Sequence, residues 1–352
     1  MATSRFFAEP ALPALSEVEG SGKKQILRFA QDDSEGLRMT PLRVYSYFRD
    51  TTLVEVGVAE DEMHRIQSWL IVITVVVLAP LVSAQAPPPA AAREEYAELP
   101  GVRLWYKDTG GSGIPVVFLH AASGSSRNWE YQIPAFTAAG FRFIAYDRRG
   151  WGRSVINPAG PQPGTAADDL QGLMDYLGID RFHLVGTAAG GGVSLDYAVS
   201  FPQRLRSLVL ADSALGAVQD AEYQELGRRI RPPQFDALPP EFRELGPSYR
   251  AANPEGTRRW IELQRMSRPD GPRASPQATR NRLTFSLVET MKVPRLLLTG
   301  DADLSAPPPL LRFFTARVKN SESVIVPEAG HSTYWEQPEI FNRTILEFIR
   351  KH

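Results

Sequence analysis

The chain has 352 residues, 43% of them hydrophobic and 22% charged, with a formal net charge of -1, the composition of an ordinary globular protein. Near-neutral charge gives no electrostatic ground for a nucleic-acid partner. The absence of cysteine excludes disulfides, thiol nucleophiles and cysteine metal sites, and none of the five histidines forms an H-E-x-x-H ligand pair, so neither a metal nor a cofactor is expected.

Residues 1–62 show no sustained period of 2 or 3.6 and read as an unstructured upstream extension. Met63-His64-Arg65 is a short basic start, residues 69–81 (WLIVITVVVLAPL) are uncharged and apolar, and Val82-Ser83-Ala84 closes with small residues. That order describes a secretory signal peptide over 63–84. The run is short for a membrane span, which needs about 20 apolar residues, although an anchor is the competing reading. Translation is then expected to start at Met63, and an exported mature chain, periplasmic or secreted, runs from 85 to 352 with no stable membrane span. Pro87-Pro88-Pro89 and three alanines make residues 85–99 a stiff linker.

Beyond it, continuous apolar runs at 116–119, 143–146, 183–185, 208–210, 296–298 and 324–326 suit strands buried on both faces of a parallel sheet. Amphipathic segments near 165–178, 189–201, 307–318 and 337–350 alternate with them, and Phe341, Ile345 and Phe348 recur at helical spacing. The pattern predicts an α/β domain with helices flanking a mostly parallel central sheet, its core spanning 100–214 and 290–352. Residues 215–289 show no strand and are punctuated by prolines. They are expected to form a helical cap whose arginines, nearly matched by acids, are a solvated face.

Four local signatures fall in order: His120-Ala121-Ala122-Ser123-Gly124 after the first buried run; Asp147-Arg148-Arg149-Gly150-Trp151-Gly152-Arg153-Ser154 after the second; Gly186-Thr187-Ala188-Ala189-Gly190-Gly191 after the third; and Gly300-Asp301-Ala302-Asp303 with Gly330-His331 near the end. Together they resemble the α/β-hydrolase family over roughly 250 residues, in the form that carries a cap domain. The resemblance implies that Gly186 to Gly190 is the nucleophile elbow, with Ala188 where the family has its serine. It also implies that Asp303 is the acid, His331 the base, and the backbone amides of Ala122 and Ala189 the oxyanion hole. Backbone donors do not depend on side-chain identity, so alanines serve there. Asp147 and Arg149 read as structural, His183 as core, and Trp151, Tyr334 and Trp335 as packing.

Alanine cannot attack a carbonyl, and loss of the nucleophile from a serine hydrolase costs about 10⁶ in turnover. Thr187 is one position off the elbow; Ser123, in the oxyanion-hole loop, and Ser332, beside the histidine, are nearer candidates, but neither occupies the strained turn. Two routes need no nucleophile: His331 activating water against an ester, lactone or similar carbonyl compound, or His331 moving a substrate proton in lyase or isomerase chemistry. A third reading is a non-catalytic module that holds a small apolar ligand. A polar, water-sized niche beside Ala188 would favour hydrolysis, and a large apolar cavity under the cap with few polar groups the receptor. Oligomeric state is not legible.

Overall fold

The computed structural model describes residues 39–44, 54–59, 93–157, 164–213, 218–231, 233–268 and 277–352. The chain divides into two units, 1–85 and 86–352. In the first, strand β1 (Met39–Val44) pairs antiparallel with β2 (Val54–Ala59), Met39 opposite Ala59 and Val44 opposite Val54. This hairpin departs from the expectation of no regular element before residue 63. The signal was present in the alternation of Val54, Val56 and Val58, a period of 2. The segment read as a signal peptide, 63–84, lies outside the described residues.

The second unit is built on a nine-stranded sheet. Its first strands are β3 (Arg93–Leu99), β4 (Val102–Asp108), β5 (Pro115–Leu119), β6 (Arg142–Tyr146) and β7 (Val155–Ile156). They are followed by β8 (Phe182–Thr187), β9 (Leu205–Ala211), β10 (Arg295–Gly300) and β11 (Ser321–Val326). The strand order is β11-β10-β9-β8-β5-β6-β4-β3, with β7 on β4. The six strands from β11 to β6 are parallel, and β4, β3 and β7 pair antiparallel. All six apolar runs named above are strands of this parallel part.

Residues 93–99 correct the linker assignment. Instead of stiff coil they form β3, turning through Pro100-Gly101 onto β4. This strand is mostly exposed, with only Ala97 buried, so it shows none of the continuous apolar character that marks an interior strand.

Burial on both faces explains why the central strands are uniformly apolar. Val117 and Leu119 of β5 join one cluster with Leu170, Leu173 and Leu195, whereas Val116 and Phe118 join another with Phe136, Phe341 and Ile345. One face therefore carries α2 (Ala166–Tyr176), α3 (Ala189–Ser200) and α9 (Pro308–Arg317). The other carries α1 (Gln132–Ala138) and α11 (Pro338–Ile349). Successive residues point to opposite faces, so both alternations must be apolar.

Between β9 and β10 the described residues contain helices and no strand: α4 (Ala221–Ile230), α5 (Pro240–Glu244), α6 (Pro247–Ala252), α7 (Pro254–Met266) and α8 (Phe285–Val288). Pro240, Pro247 and Pro254 sit in the first turn of α5, α6 and α7, where a missing N–H costs no helical hydrogen bond. Trp260 and Leu263 of α7 bury against Trp335 and Tyr334 of the core, which fixes the cap to the sheet. The short helix α10 (Thr333–Glu336) follows the histidine loop.

Candidate active site

The parallel strands end at one edge, and the functional candidates lie on the loops that leave it. The turn from β8 into α3 is the sharpest. Ala188 has φ 48° and ψ -118°, a conformation L-residues rarely adopt, and its N–H donates to the Ala211 carbonyl at 2.9 Å. Such strain costs on the order of 1–3 kcal/mol and persists only where the surroundings impose it.

Gly190 makes the turn sterically feasible. A Cβ there would lie 2.4 Å from the Leu119 carbonyl oxygen and 2.7 Å from that of His120, both backbone atoms of the neighbouring strand and loop. Gly190→Ala is therefore expected to push α3 off β5 and destabilise the protein by about 1–3 kcal/mol or more. A denaturant midpoint unchanged from wild type would contradict this close approach.

His331 and Asp303 are brought together. His331 Nδ1 donates to Asp303 Oδ2 at 2.8 Å, the carboxylate being able only to accept when ionised. Asp303 is buried and saturated. Its Oδ1 accepts from the amides of Ser305 (2.7 Å) and Ala306 (2.8 Å), and Thr299 Oγ1 donates to Oδ2 at 3.1 Å. These bonds hold the acid in place and leave the other imidazole nitrogen available.

The histidine loop is tied from two sides. Glu336 accepts from the amides of Gly330 (2.9 and 3.0 Å) and Ser332 (3.2 Å), and also from Gly246 of the cap at 2.6 Å. Asp212 accepts from Thr333 Oγ1 at 2.7 Å and its amide at 3.2 Å.

A cavity of ≈ 650 Å³ is lined by Ala122, Ala188, Ala189 and His331 together. Ala189 is the first residue of α3, so its amide has no acceptor within the helix. The Ala122 carbonyl accepts from Trp151 Nε1 at 2.9 Å, which orients that loop. Behind it, His120 donates through Nδ1 to the Ala121 carbonyl at 2.7 Å and accepts from the Arg148 amide at 3.0 Å through Nε2. Burial and the nearby Arg148 charge keep His120 well below the ordinary imidazole pKa, so it is a neutral brace for the loop.

Two further carboxyl groups line the cavity that sequence reasoning did not single out: Asp212, just after β9, and Glu244, the last residue of α5. Asp212 is fully buried with φ 52°, and its Oδ1 has no hydrogen-bond partner among the described residues. Glu244 is partly exposed as a residue, while its Oε2 is buried and likewise unpartnered. Burial and the Asp303 charge raise the pKa of Asp212 well above the carboxylate range, and burial raises that of Glu244. Burial alone would lower the His331 pKa. The Asp303 carboxylate, with Glu244 and Asp212 adding to it, overrides that and raises the imidazole to about 10.

The remaining candidates separate cleanly. Thr187 is buried with its Oγ1 unpartnered and does not line the cavity; neither does Ser332, whereas Ser123 does. Asp147 accepts from the Ser126 amide (2.8 Å) and hydroxyl (2.6 Å) and from the Arg153 amide (2.8 Å), the pattern of a loop brace. Arg149 clamps Asp169 through Nε at 2.9 Å and Nη2 at 2.7 Å. His183 is core, bonded to Ser207 Oγ at 2.8 Å and lowered by burial to about 4. Tyr334 and Trp335 pack, as expected, but Trp151 stands on the cavity wall.

The sequence agrees with this geometry. Residues 116–344 match the alpha/beta hydrolase family. A 2-hydroxy-6-oxononadienedioate/2-hydroxy-6-oxononatrienedioate hydrolase of Burkholderia vietnamiensis is 28% identical over 272 residues, 71% of this chain and 92% of that protein. The dihydrolipoyllysine-residue acetyltransferase component of the acetoin cleaving system of Pseudomonas putida is 30% identical over 281 residues, 76% of this chain and 71% of its own. Among solved structures, a thermophilic esterase from Thermogutta terrifontis superposes with TM-score 0.61 at 28% identity, over 74% of this chain and 99% of the esterase. A parallel sheet with its loops in this order, a glycine-walled elbow and a match over most of the second unit lead to one conclusion: the chain belongs to the alpha/beta hydrolase family.

Proposed function

We propose that the protein is an exported, cofactor-free enzyme that hydrolyses a small ester, lactone or similar carbonyl compound by water activation, without a serine nucleophile. The observation that carries this reading is the His331–Asp303 pair, bonded at 2.8 Å, with His331 on the wall of the same cavity as the strained Ala188 turn. His331 takes a proton from water, the water oxygen attacks the carbonyl carbon, and the amides of Ala122 and Ala189 hold the oxyanion. Collapse expels the alkoxide, which recovers the proton from His331, so acid and alcohol leave and the site is unchanged. Asp303 holds the imidazole in the required tautomer and stabilises its charge.

Arg148, Asp212, Arg231, Glu244 and His331, all among the residues lining the cavity, favour catalysis over storage of an apolar ligand, because burying charges around an apolar guest is costly. A second reading draws on Asp212 and Glu244, two carboxyl groups that line the cavity with His331 and whose burial raises their pKa values. Beside His331 they suit proton-transfer chemistry of the lyase or isomerase kind.

The test is turnover of a panel of p-nitrophenyl esters and γ- and δ-lactones by the purified protein, with intact mass measured during the reaction. Steady hydrolysis with no burst and no added acyl mass is expected. An accumulating acyl-enzyme would overturn direct water attack. No turnover across the panel would remove hydrolysis and leave the proton-transfer reading.

A further inference from the structure

Glu336 stands between the base and the cap. It is the last residue of α10, on the chain just after His331, and it is buried. Its two oxygens accept from backbone amides drawn from two parts of the fold. Oε1 takes Gly330 at 2.9 Å and Ser332 at 3.2 Å, the residues on either side of His331. Oε2 takes Gly246 of the cap at 2.6 Å and shares Gly330 at 3.0 Å. Among the described residues none of these three amides donates to a backbone carbonyl. A buried N–H left without an acceptor is costly, so this one carboxylate is what holds both segments.

The two backbones also touch. A Cβ on Gly330 would lie 2.5 Å from the Gly246 nitrogen and 2.8 Å from the Leu245 carbonyl carbon. A Cβ on Gly246 would lie 3.0 Å from Glu336 Oε2 and 3.0 Å from the Gly330 nitrogen. Two glycines back to back, with the carboxylate across them, make a joint that has no room for a side chain.

The cap side of that joint carries a group that acts on the base. Gly246 follows Glu244 and Leu245; Glu244 lines the cavity with His331 and adds to the charge that keeps the imidazole protonated. Leu245 is buried, and Arg250 of α6 donates to its carbonyl. His331 is thus faced by Asp303 after β10, Asp212 after β9 and Glu244 from the cap. Around Glu336 stand the Asp303 carboxylate and Tyr249 of α6. Burial raises the Glu336 pKa to about 7, with Asp303 adding and the three amides opposing. At about pH 8.5 the carboxylate is therefore the form present.

We infer that Glu336 is a positioning residue, a carboxylate latch that joins the cap segment carrying Glu244 to the loop carrying His331, so that cap and base are held in place together. The effect of the latch on rate rests on the hydrolytic reading. The latch itself is a structural coupling and is testable without a substrate.

Hydrogen exchange of the full chain, read by mass spectrometry at about pH 8.5, tests it. In wild type, the slowest amides of peptides 240–249 and 327–333 should exchange within about tenfold of each other, as one opening event requires. A wider gap means two independent openings and overturns the latch with no variant needed. Glu336→Gln keeps the size of the side chain, but its amide nitrogen meets only N–H groups. Exchange should rise about tenfold or more in both peptides, while a peptide from β9 stays as in wild type. Gly246→Ala presses a methyl group into the joint from the cap side, and should loosen 327–333 in turn, because coupling is reciprocal. Exchange raised on one side alone, or on neither, in a folded variant overturns the latch. Where a variant does not fold, the wild-type comparison decides.

The second readout is the titration of His331, followed by NMR of its ring. Gly246→Ala removes no charge, yet by freeing the segment that carries Glu244 it should move the imidazole midpoint toward acid. A midpoint unmoved in the folded variant overturns the positioning role. On the alkaline plateau of hydrolysis, where the imidazole is neutral, Glu336→Gln should lower kcat about tenfold or more, as a loosened base does. An unchanged plateau with both peptides loosened also overturns that role. Coupled exchange with no turnover by any form keeps the latch and removes hydrolysis.

Discussion

Ala188→Ser is expected to give a protein that a fluorophosphonate labels covalently at position 188, while wild type stays unlabelled at that position. Everything a serine nucleophile needs apart from its hydroxyl is present. The backbone is already in the strained elbow conformation, and the side chain at 188 shares a cavity wall with His331, whose orientation Asp303 fixes. In a serine hydrolase the nucleophile is worth about 10⁶ in turnover, so even a partly aligned serine should raise ester hydrolysis by about 10²-fold or more. An acyl-enzyme should then appear by intact mass. The obstacle is the proton that the surrounding acids hold on His331, since a protonated imidazole cannot activate the new hydroxyl. The gain should accordingly grow as pH rises. A folded Ala188→Ser that remains unlabelled even at alkaline pH would mean that the free imidazole nitrogen does not face the elbow, and water activation at Ala188 would go with it.

That the elbow could be read at all shows which parts of a fold are written locally. A run such as 182–187, buried at every position, admits few placements other than the interior of a parallel sheet, and the glycines at 186 and 190 mark where helix and strands approach backbone to backbone. Asp303 and His331 were legible because each lies on the loop that leaves a parallel strand, β10 and the edge strand β11, at the sheet edge that delivers loops to one place. β3 was not, because an exposed edge strand of sequence REEYAEL carries no buried signature.

The two carboxyl groups beside His331 were hidden for a different reason. Glu244 ends a five-residue helix in the cap and reaches the site only through tertiary packing, with Gly246 hydrogen-bonded to Glu336. Asp212 follows β9 just as Asp303 follows β10, so its position was open to inference; its burial and unpartnered oxygen were not. The paired arginines make the same point. Nothing in Arg148-Arg149 says which finds a carboxylate, and the answer depends on Asp169, twenty residues further on and on another element.

The acids around His331 also set how the enzyme should respond to pH, and removal of the histidine should cost most of its activity. His331→Ala is expected to lower hydrolysis by about 10²–10⁴, the usual worth of a positioned general base. In the proposed reaction the base is the neutral imidazole. With its pKa raised from the ordinary 6.5 to about 10, only a small fraction is in that form at pH 7. Catalysed turnover, corrected for hydroxide-driven hydrolysis by subtracting the His331→Ala rate, should climb about tenfold per pH unit and level off near the raised value. Burial opposes the imidazolium, and Asp303, Glu244 and Asp212 favour it. Removing one of those negative charges must therefore move the midpoint down. Glu244→Gln keeps the size of the side chain, leaves the Asp303 bond intact, and should shift the rising limb toward acid, making the enzyme faster at pH 7 than wild type. A profile centred at the ordinary imidazole value in wild type, unmoved by Glu244→Gln, would show that the three carboxyl groups do not act on His331 as a cluster.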